Sequence, residues 1–395
     1  MTRYILLRDP TGNWRRSPVP LAGGIAPQDP DAPAAPVVET ADLSPQEVRD
    51  TIDDPTLLTL QPAMCTRLIA PEPMDELRSA DAVPGWGLRA IGADWTPSSG
   101  AGVRVALLDT GIDAHHPVFS GIDVTAQDFA GTGIADANGH GTHVAATVLG
   151  RDLGGTRVGV ARGVTDLLVA KALADNGRGR SEDFFQAMLW ALRSKADIIG
   201  FALAFDVPGQ IDALTEEGYP TALATLAAVH AYRGNLRICE VLLQMIAGDQ
   251  APLLLGAVGN DCLRTITPEF ETGPSAPAAA AGVLAIGACG PDEAGLSPAP
   301  FSNVGAALLA PGAGIISAGL GGGLRTLNGT SMALAHAVGI AALWVEQMRK
   351  EDTPVTAQTL AAKLIGTATR APLGPRASSV ECGHGLVQAP KGALE

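Results

Sequence analysis

Three short strings carry an aspartate, a histidine and a serine in an order that suits acyl transfer: A-L-L-D-T-G-I with Asp109, N-G-H-G-T-H-V-A with His140, and N-G-T-S-M-A with Ser331. A serine hydroxyl is a weak nucleophile at neutral pH. It needs an imidazole within hydrogen-bond reach to take its proton, and the imidazole needs a carboxylate to fix its tautomer and stabilise its charged form. Asp109 closes the apolar run 103–108, the pattern of a buried parallel strand, and ligands bind at the C-terminal ends of such strands in open α/β sheets. Ser331 opens an apolar stretch that reads as a helix over 332–349. There it gains the positive end of the helix dipole and offers its own N–H as an oxyanion donor. Each string has an ordinary reading by itself. D-T-G suits a turn, G-T-S-M suits any helix start, and His140 with His143 at i and i+3 would suit a metal but for the missing Glu of H-E-x-x-H. Their order and their contexts point to one shared site.

The elements that must position these groups alternate. Strand patterns at 167–172, 197–203, 253–258 and 283–289 and helical patterns at 144–149, 181–194 and 332–349 predict an α/β fold, a mainly parallel sheet flanked by helices. The first 83 residues carry none of the three strings and read as a small α+β domain with a linker, followed by a catalytic domain over 84–395. In the N-terminal part, 3–7 is a strand pattern and 22–36 a loop rich in Gly, Pro, Ala and Asp. Ser44 then starts a helix with three agreeing signals: a hydroxyl cap, Pro45 at the first helical position and Glu47 three residues on. That helix should stop before Pro55; strands at 57–60 and 64–69 follow, and 70–83, with Pro71 and Pro73, is the linker. Residues 205–252 read as a helical insertion beside the cleft, with helices at 221–231 and 236–246 on either side of Gly234 and Asn235.

Bulk properties narrow the function. The chain has 395 residues, 46% hydrophobic and 17% charged, the balance of a folded enzyme rather than a disordered chain. A net charge of -14, without any cluster of basic and aromatic residues, argues against nucleic acid as a partner. No apolar run is long enough to span a membrane, the run 4–7 is too short for a signal-peptide core, and Arg15 and Arg16 precede Pro-rich rather than apolar sequence. Five cysteines without C-x-x-C spacing indicate neither a disulfide framework nor a zinc site. A cytoplasmic location is the resulting expectation. Cys262, two residues after Asn260, reads as a buried inert thiol rather than a reactive one.

The order Asp, His, Ser, together with W-G-L-R-A-I-G-A-D-W, G-V-A-R, G-A-V-G-N-D and L-A-P-G, resembles the subtilisin-like serine proteases, or subtilases, from about residue 86 to 389. The resemblance implies a subtilisin-like fold, a catalytic role for Asp109, His140 and Ser331, packing for His143, and an oxyanion role for Asn260. It also implies that an extended peptide adds as a strand between Asn176, Gly177, Arg178 and Gly179 on one side and Ala202, Leu203 and Ala204 on the other, with Val258 and Gly259 near the first pocket. Ala202 and Ala204 stand where relatives usually carry Ser and Gly, which should narrow that pocket, and Ala335 stands where Pro is usual. No cofactor is expected. The calcium site of some relatives is disfavoured, because Val118 takes the place of an Asp ligand and Gly154 and Gly155 lie in a loop without a carboxylate cage.

These residues lead to an expected serine endopeptidase acting on peptide or protein through an acyl-enzyme. The N-terminal domain resembles an inhibitory propeptide and is the expected intramolecular inhibitor, as in a zymogen; a permanent accessory domain is the other reading. Two functions of other kinds use the same cleft, a peptide ligase or macrocyclase in which an amine intercepts the acyl-enzyme, and a peptide-binding pseudoprotease. Arg178 and Arg180 beside the substrate strand predict a preference for acidic residues on the non-primed side.

Overall fold

The computed structural model describes residues 2–10, 36–73, 85–248, 251–375 and 377–391. Residues 22–35 of the loop read at 22–36, the Arg15–Arg16 pair and the linker beyond Pro73 lie outside them. Two compact units divide the chain, Met1–Cys65 with Asp206–Ala247, and Thr66–Phe205 with Gly248–Glu395. The residues read as an insertion thus form one unit with the N-terminal segment, and the unit boundary falls after Cys65 rather than after 83.

In the first unit, β1 (Thr2–Arg8) is the central strand of an antiparallel sheet between β2 (Val37–Leu43) and β3 (Leu57–Pro62). Ile5, Leu6 and Leu7 are all buried in it. Between β2 and β3 lies α1 (Pro45–Ile52), capped as its sequence predicts: Ser44 Oγ accepts from the Glu47 N–H, and Glu47 Oε2 accepts from the Ser44 N–H at 2.8 Å.

The second unit begins at Thr66, within β4 (Cys65–Leu68), and continues with α2 (Trp86–Ala90), then β5 (Arg104–Asp109), β6 (Asp123–Asp128) and α3 (His140–Leu149). It continues through β7 (Asp166–Lys171), β8 (Arg178–Arg180), α4 (Ser181–Arg193), β9 (Ile198–Phe201) and β10 (Leu203–Phe205). After α5 (Val207–Glu216) and α6 (Thr221–Ile246), which belong to the first unit, come β11 (Leu253–Ala257), β12 (Val283–Asp292), β13 (Gly295–Pro298), β14 (Leu308–Pro311), β15 (Ile315–Ala318) and β16 (Leu324–Leu327). Three helices close the chain: α7 (Thr330–Lys350), α8 (Ala357–Thr367) and α9 (Ser379–Cys382).

The main sheet of this unit has the order β13-β12-β11-β9-β5-β7-β6, with β14 also on β12, and every pairing except β12 with β13 is parallel. Strands β5, β7, β9 and β11 are buried almost throughout, and α3 and α7 are buried nearly all round. A helix buried on every side belongs in a core, and α3 and α7 join the strands in one large apolar cluster. The sheet lies between them and α4, which packs on β5 and β7.

Two element readings need correction. The strand read at 197–203 is two strands: β9 stays in the main sheet, while β10, beyond Ala202, pairs in a separate three-stranded sheet. The two helices read within 221–246 are one, α6, because Gly234 and Asn235 serve packing rather than a turn. A Cβ at 234 would strike the Gln61 side chain, and Asn235 donates from Nδ2 to Pro62 O and Ala231 O, both at 2.8 Å. Helix α6 therefore packs closely on β3. Replacing Asn235 with Ala removes both bonds from a buried position and should cost about 1 kcal/mol. A lower urea midpoint and faster amide exchange along α6 and β3 are the expected readouts.

Candidate active site

Asp109 ends β5 in the middle of the parallel sheet, and His140 opens α3. Both side chains are buried, with His140 Nδ1 2.7 Å from Asp109 Oδ1. A carboxylate oxygen only accepts, so Nδ1 carries the proton and Nε2 presents its lone pair. Nε2 has no hydrogen-bond partner among the described residues, and it is the atom that a serine proton would need. Asp109 Oδ1 also accepts from the Thr110 N–H at 2.7 Å, which fixes the carboxylate plane.

Two residues not singled out in the sequence hold this pair. The buried Asp136 accepts at Oδ1 from Thr110 Oγ1, Asn138 N and Gly139 N, and at Oδ2 from Thr142 N and Thr142 Oγ1. Lys171, on β7 opposite Asp109, is buried and donates to Thr110 O at 2.8 Å, Ala135 O at 2.7 Å and Asp175 Oδ1. The Lys171 ammonium holds the Asp175 carboxyl below its usual range. A short polar residue three positions before a G-H-G-T string is the only sequence signal for Asp136. Lys171 stands out only as a charge ending an apolar strand.

Ser331 lies in the first turn of α7, where backbone N–H groups have no partner within the helix. Asn260 follows β11 and is oriented by its neighbour: its Oδ1 accepts from Thr330 N and Thr330 Oγ1, both at 2.9 Å, which turns Nδ2 toward the cleft. Gly259 reaches this position with φ 113°, and a Cβ there would press on Asn303 and on Asp261 Oδ2. Its N–H donates to Thr330 Oγ1 at 3.3 Å, and the adjoining Val258 is fully buried. Ser331 Oγ, Asn260 Nδ2 and the Asp109–His140 pair are the parts needed to attack a carbonyl, hold its oxyanion and move one proton.

The cleft residues take a strand, and the strand comes from this chain. β4 lies between β10 and β8, with Arg67 opposite Ala204 and Leu68 opposite Leu203. Leu68 N donates to Gly177 O at 2.7 Å and Ile69 N to Ala202 O at 3.2 Å. Ser331 Oγ donates to Ile69 O at 3.2 Å, and Asn260 Nδ2 donates to the next carbonyl, Ala70 O, at 2.8 Å. Beyond the site, Glu72 N donates to Asn328 O at 2.9 Å. Asn176 and Arg178 bracket Gly177 in the facing loop, where Asn176 Oδ1 accepts from the Arg178 N–H. A Cβ on Gly179 would crowd Thr66 Oγ1 at 2.8 Å, so the small residue permits the pairing. Arg180 is engaged with Glu182 at 2.7 Å, whereas the charge on the paired strand is Arg67, which forms an ion pair with Asp261.

His143 is fully buried, and its Nε2 lies 3.2 Å from both Ile315 O and Arg325 O, two acceptors that require the proton on Nε2. Helix α7 passes through Ala335 without a break, and His336 bonds back to Met332 O at 2.8 Å. Val118 is buried in the apolar core, and the Arg157 guanidinium already donates to Gly159 O, Val160 O and Asp94 Oδ1. Among the described residues no group of three or more acidic, His or Cys side chains could hold a metal. Cys262 is buried beside the Thr272 backbone.

Burial pushes His143 down to about 3 and His336 down to about 4, so the fold keeps both neutral. Unfolded histidine takes up a proton near pH 6.5. The stability these sites contribute is therefore complete above about pH 6.5 and is lost as pH falls toward about 4, by about 2 kcal/mol per histidine at pH 5. Urea midpoints of the Ser331→Ala chain should fall between pH 7 and 4.5, and less steeply with His143→Gln added. Equal slopes would refute the assignment.

The profile of the Subtilase family matches residues 100–385. Similar curated proteins include the subtilisin-like protease 6 of Arthroderma benhamiae, 33% identical over 276 residues, which cover 67% of this chain and 59% of that protein. The same-named protein of Arthroderma gypseum is 31% identical over 290 residues, 71% of this chain and 63% of its own length, and that of Trichophyton soudanense is 32% identical over 276 residues, 67% and 59%. The aligned part of the chain thus spans about three fifths of the length of these relatives. With a mainly parallel sheet carrying the three strings at one end, and a family match over most of its length, this chain belongs to the subtilase family.

Proposed function

We propose that this chain is a serine endopeptidase acting through an acyl-enzyme on Ser331, and that its own segment 66–73 restrains it. The observation that carries the reading is the buried Asp109–His140 contact at 2.7 Å, set beside a serine hydroxyl that touches the backbone of a strand lying in the cleft. In the reaction, Ser331 Oγ turns from its carbonyl contact to His140 Nε2, gives it the proton and bonds to the substrate carbonyl carbon. Asn260 Nδ2 and the Ser331 N–H hold the oxyanion. His140 then protonates the leaving amine as the C–N bond breaks. Water enters with His140 as base, and its oxygen completes the carboxylic acid that leaves Ser331. Asp109 keeps the Nδ1 proton in place throughout.

The restraint rests on occupancy. Residues 66–70 use the backbone groups of Gly177 and Ala202, and the Ile69 side chain is buried in the apolar core cluster. A substrate strand would need the same carbonyls, so the two compete.

Two results follow for the full-length chain. Ser331→Ala, His140→Ala and Asp109→Ala should each remove about 10⁴ to 10⁶ of the rate on a small peptide ester or amide, and the double variant Ser331→Ala/His140→Ala should be little worse than either single one. Additive losses would argue against a shared nucleophile and base. Ile69→Asp, which places a charge where an apolar side chain is buried, should raise the rate on the same peptide about tenfold or more by loosening the segment. An unchanged or lower rate from a folded Ile69→Asp chain would contradict the restraint.

A further inference from the structure

We infer that Asp261 is a specificity-determining residue that selects a basic side chain, Arg or Lys, two positions before the residue whose N–H pairs with Ala202 O. The inference rests on the endopeptidase reading and deepens it by naming a class of substrate. The strand in the cleft shows the register. Ile69 donates to Ala202 O, so the position in question is that of Arg67, which stands opposite Ala204. Thr66, Leu68 and Ile69 are buried, whereas the Arg67 side chain keeps 33% of its exposure and meets Asp261, itself 31% exposed.

Asp261 lies on the exposed loop after β11, but hydrogen bonds hold its carboxylate in place. Asp261 N donates to Asn303 Oδ1 at 2.8 Å, and Asp261 Oδ2 accepts from Asn303 Nδ2 at 3.0 Å and Ser275 Oγ at 3.2 Å. Asn303 is buried and also donates to Val258 O and Gly273 O, so it cannot swing away. Gly259 leaves room for this arrangement, since a Cβ there would lie 2.7 Å from Asp261 Oδ2. Both donors to Oδ2 are neutral, so the cation that meets this carboxylate is Arg67, at Oδ1. A cation at that point forms a charge-assisted bond, and an anion meets repulsion. The chain's net charge of -14 adds a general attraction for cationic peptides, and Asp261 ties it to the position of Arg67. The acidic preference read from Arg178 and Arg180 gives way to the opposite sign here, because Arg180 is held by Glu182 and the paired strand faces Asp261.

Two measurements test the inference. In the full-length Ser331→Ala chain, Arg67→Glu should speed exchange of the Leu68 and Ile69 amides about two- to fivefold, the range for a partly exposed ion pair, and Arg67→Glu/Asp261→Lys should restore protection. In the active chain, peptides of the form Thr-X-Leu-Ile with a C-terminal fluorogenic amide should be cut about two- to fivefold better with X as Arg than as Gln, and worst with Glu, and Asp261→Asn should flatten the series. If Arg67→Glu leaves exchange unchanged, or if the peptide series is the same in wild type and Asp261→Asn, the subsite is overturned. The exchange experiment needs no catalysis. Restored protection in the charge swap, combined with no cleavage of any peptide, would therefore overturn the endopeptidase reading and support the subsite.

Discussion

The junction where Asp109 meets His140 depends on one buried carboxylate and the five donors that hold it. Asp136 collects Thr110, Asn138, Gly139 and Thr142, residues from the end of β5 and the start of α3. Taking a carboxylate out of water costs several kcal/mol, and saturation by donors, with the positive end of α3 nearby, offsets that cost. Because Thr110 follows Asp109 and Gly139 precedes His140, the network sets the spacing of the reacting pair through the backbone. Lys171 works on the same two segments from the other side, gripping the carbonyls of Thr110 and Ala135. An anion and a cation thus brace one junction. The 2.7 Å contact between Asp109 and His140 is the result.

The cleft has a different constraint. Strands β8 and β10 have three residues each, too short to make a sheet unaided, and they form one only with β4 between them. Such edges bind an extended chain mainly through its backbone, which suits a peptide of broad sequence. Small residues at Gly177, Gly179, Ala202 and Ala204 let that backbone approach. Selectivity must then come from side chains at the rim, and Asp261 is the charged group that the strand in the cleft meets there.

Much of this was legible in the sequence, for physical reasons that also explain the failures. Buried parallel strands are nearly pure apolar runs, so β5, β7, β11 and β12 read clearly, and Ser44-Pro45-Gln46-Glu47 announced α1 by its capping chemistry. Strands β2 and β6, sheet edges of mixed polarity, gave no such signal. Gly234 and Asn235 read as a break because sequence shows a glycine's freedom and not the neighbour, here Gln61, that requires its missing Cβ. The strings around Asp109, His140, Asn260 and Ser331 were visible because each is local. Lys171 and Asp261 act largely through partners distant in the chain, and Asp136 through turn neighbours together with the distant Thr110; their types alone suit a turn or a solvated surface.

The segment in the cleft lies beside the reacting groups without matching them. Oxyanion stabilisation requires the nucleophile and the amide donor on one carbonyl, yet Ser331 Oγ touches Ile69 O and Asn260 Nδ2 touches Ala70 O. Bringing both onto one carbonyl by a slip of one residue would move the strand about 3.3 Å and turn every side chain to the opposite face. Ile69 would leave the apolar core and Arg67 would leave Asp261. The bonds of Leu68 to Gly177, Ile69 to Ala202 and Glu72 to Asn328 resist that slip from both sides of the site. In the proposed reading, the features that make β4 a good occupant of the cleft, its backbone pairing and its anchored side chains, are the same ones that make it a poor substrate.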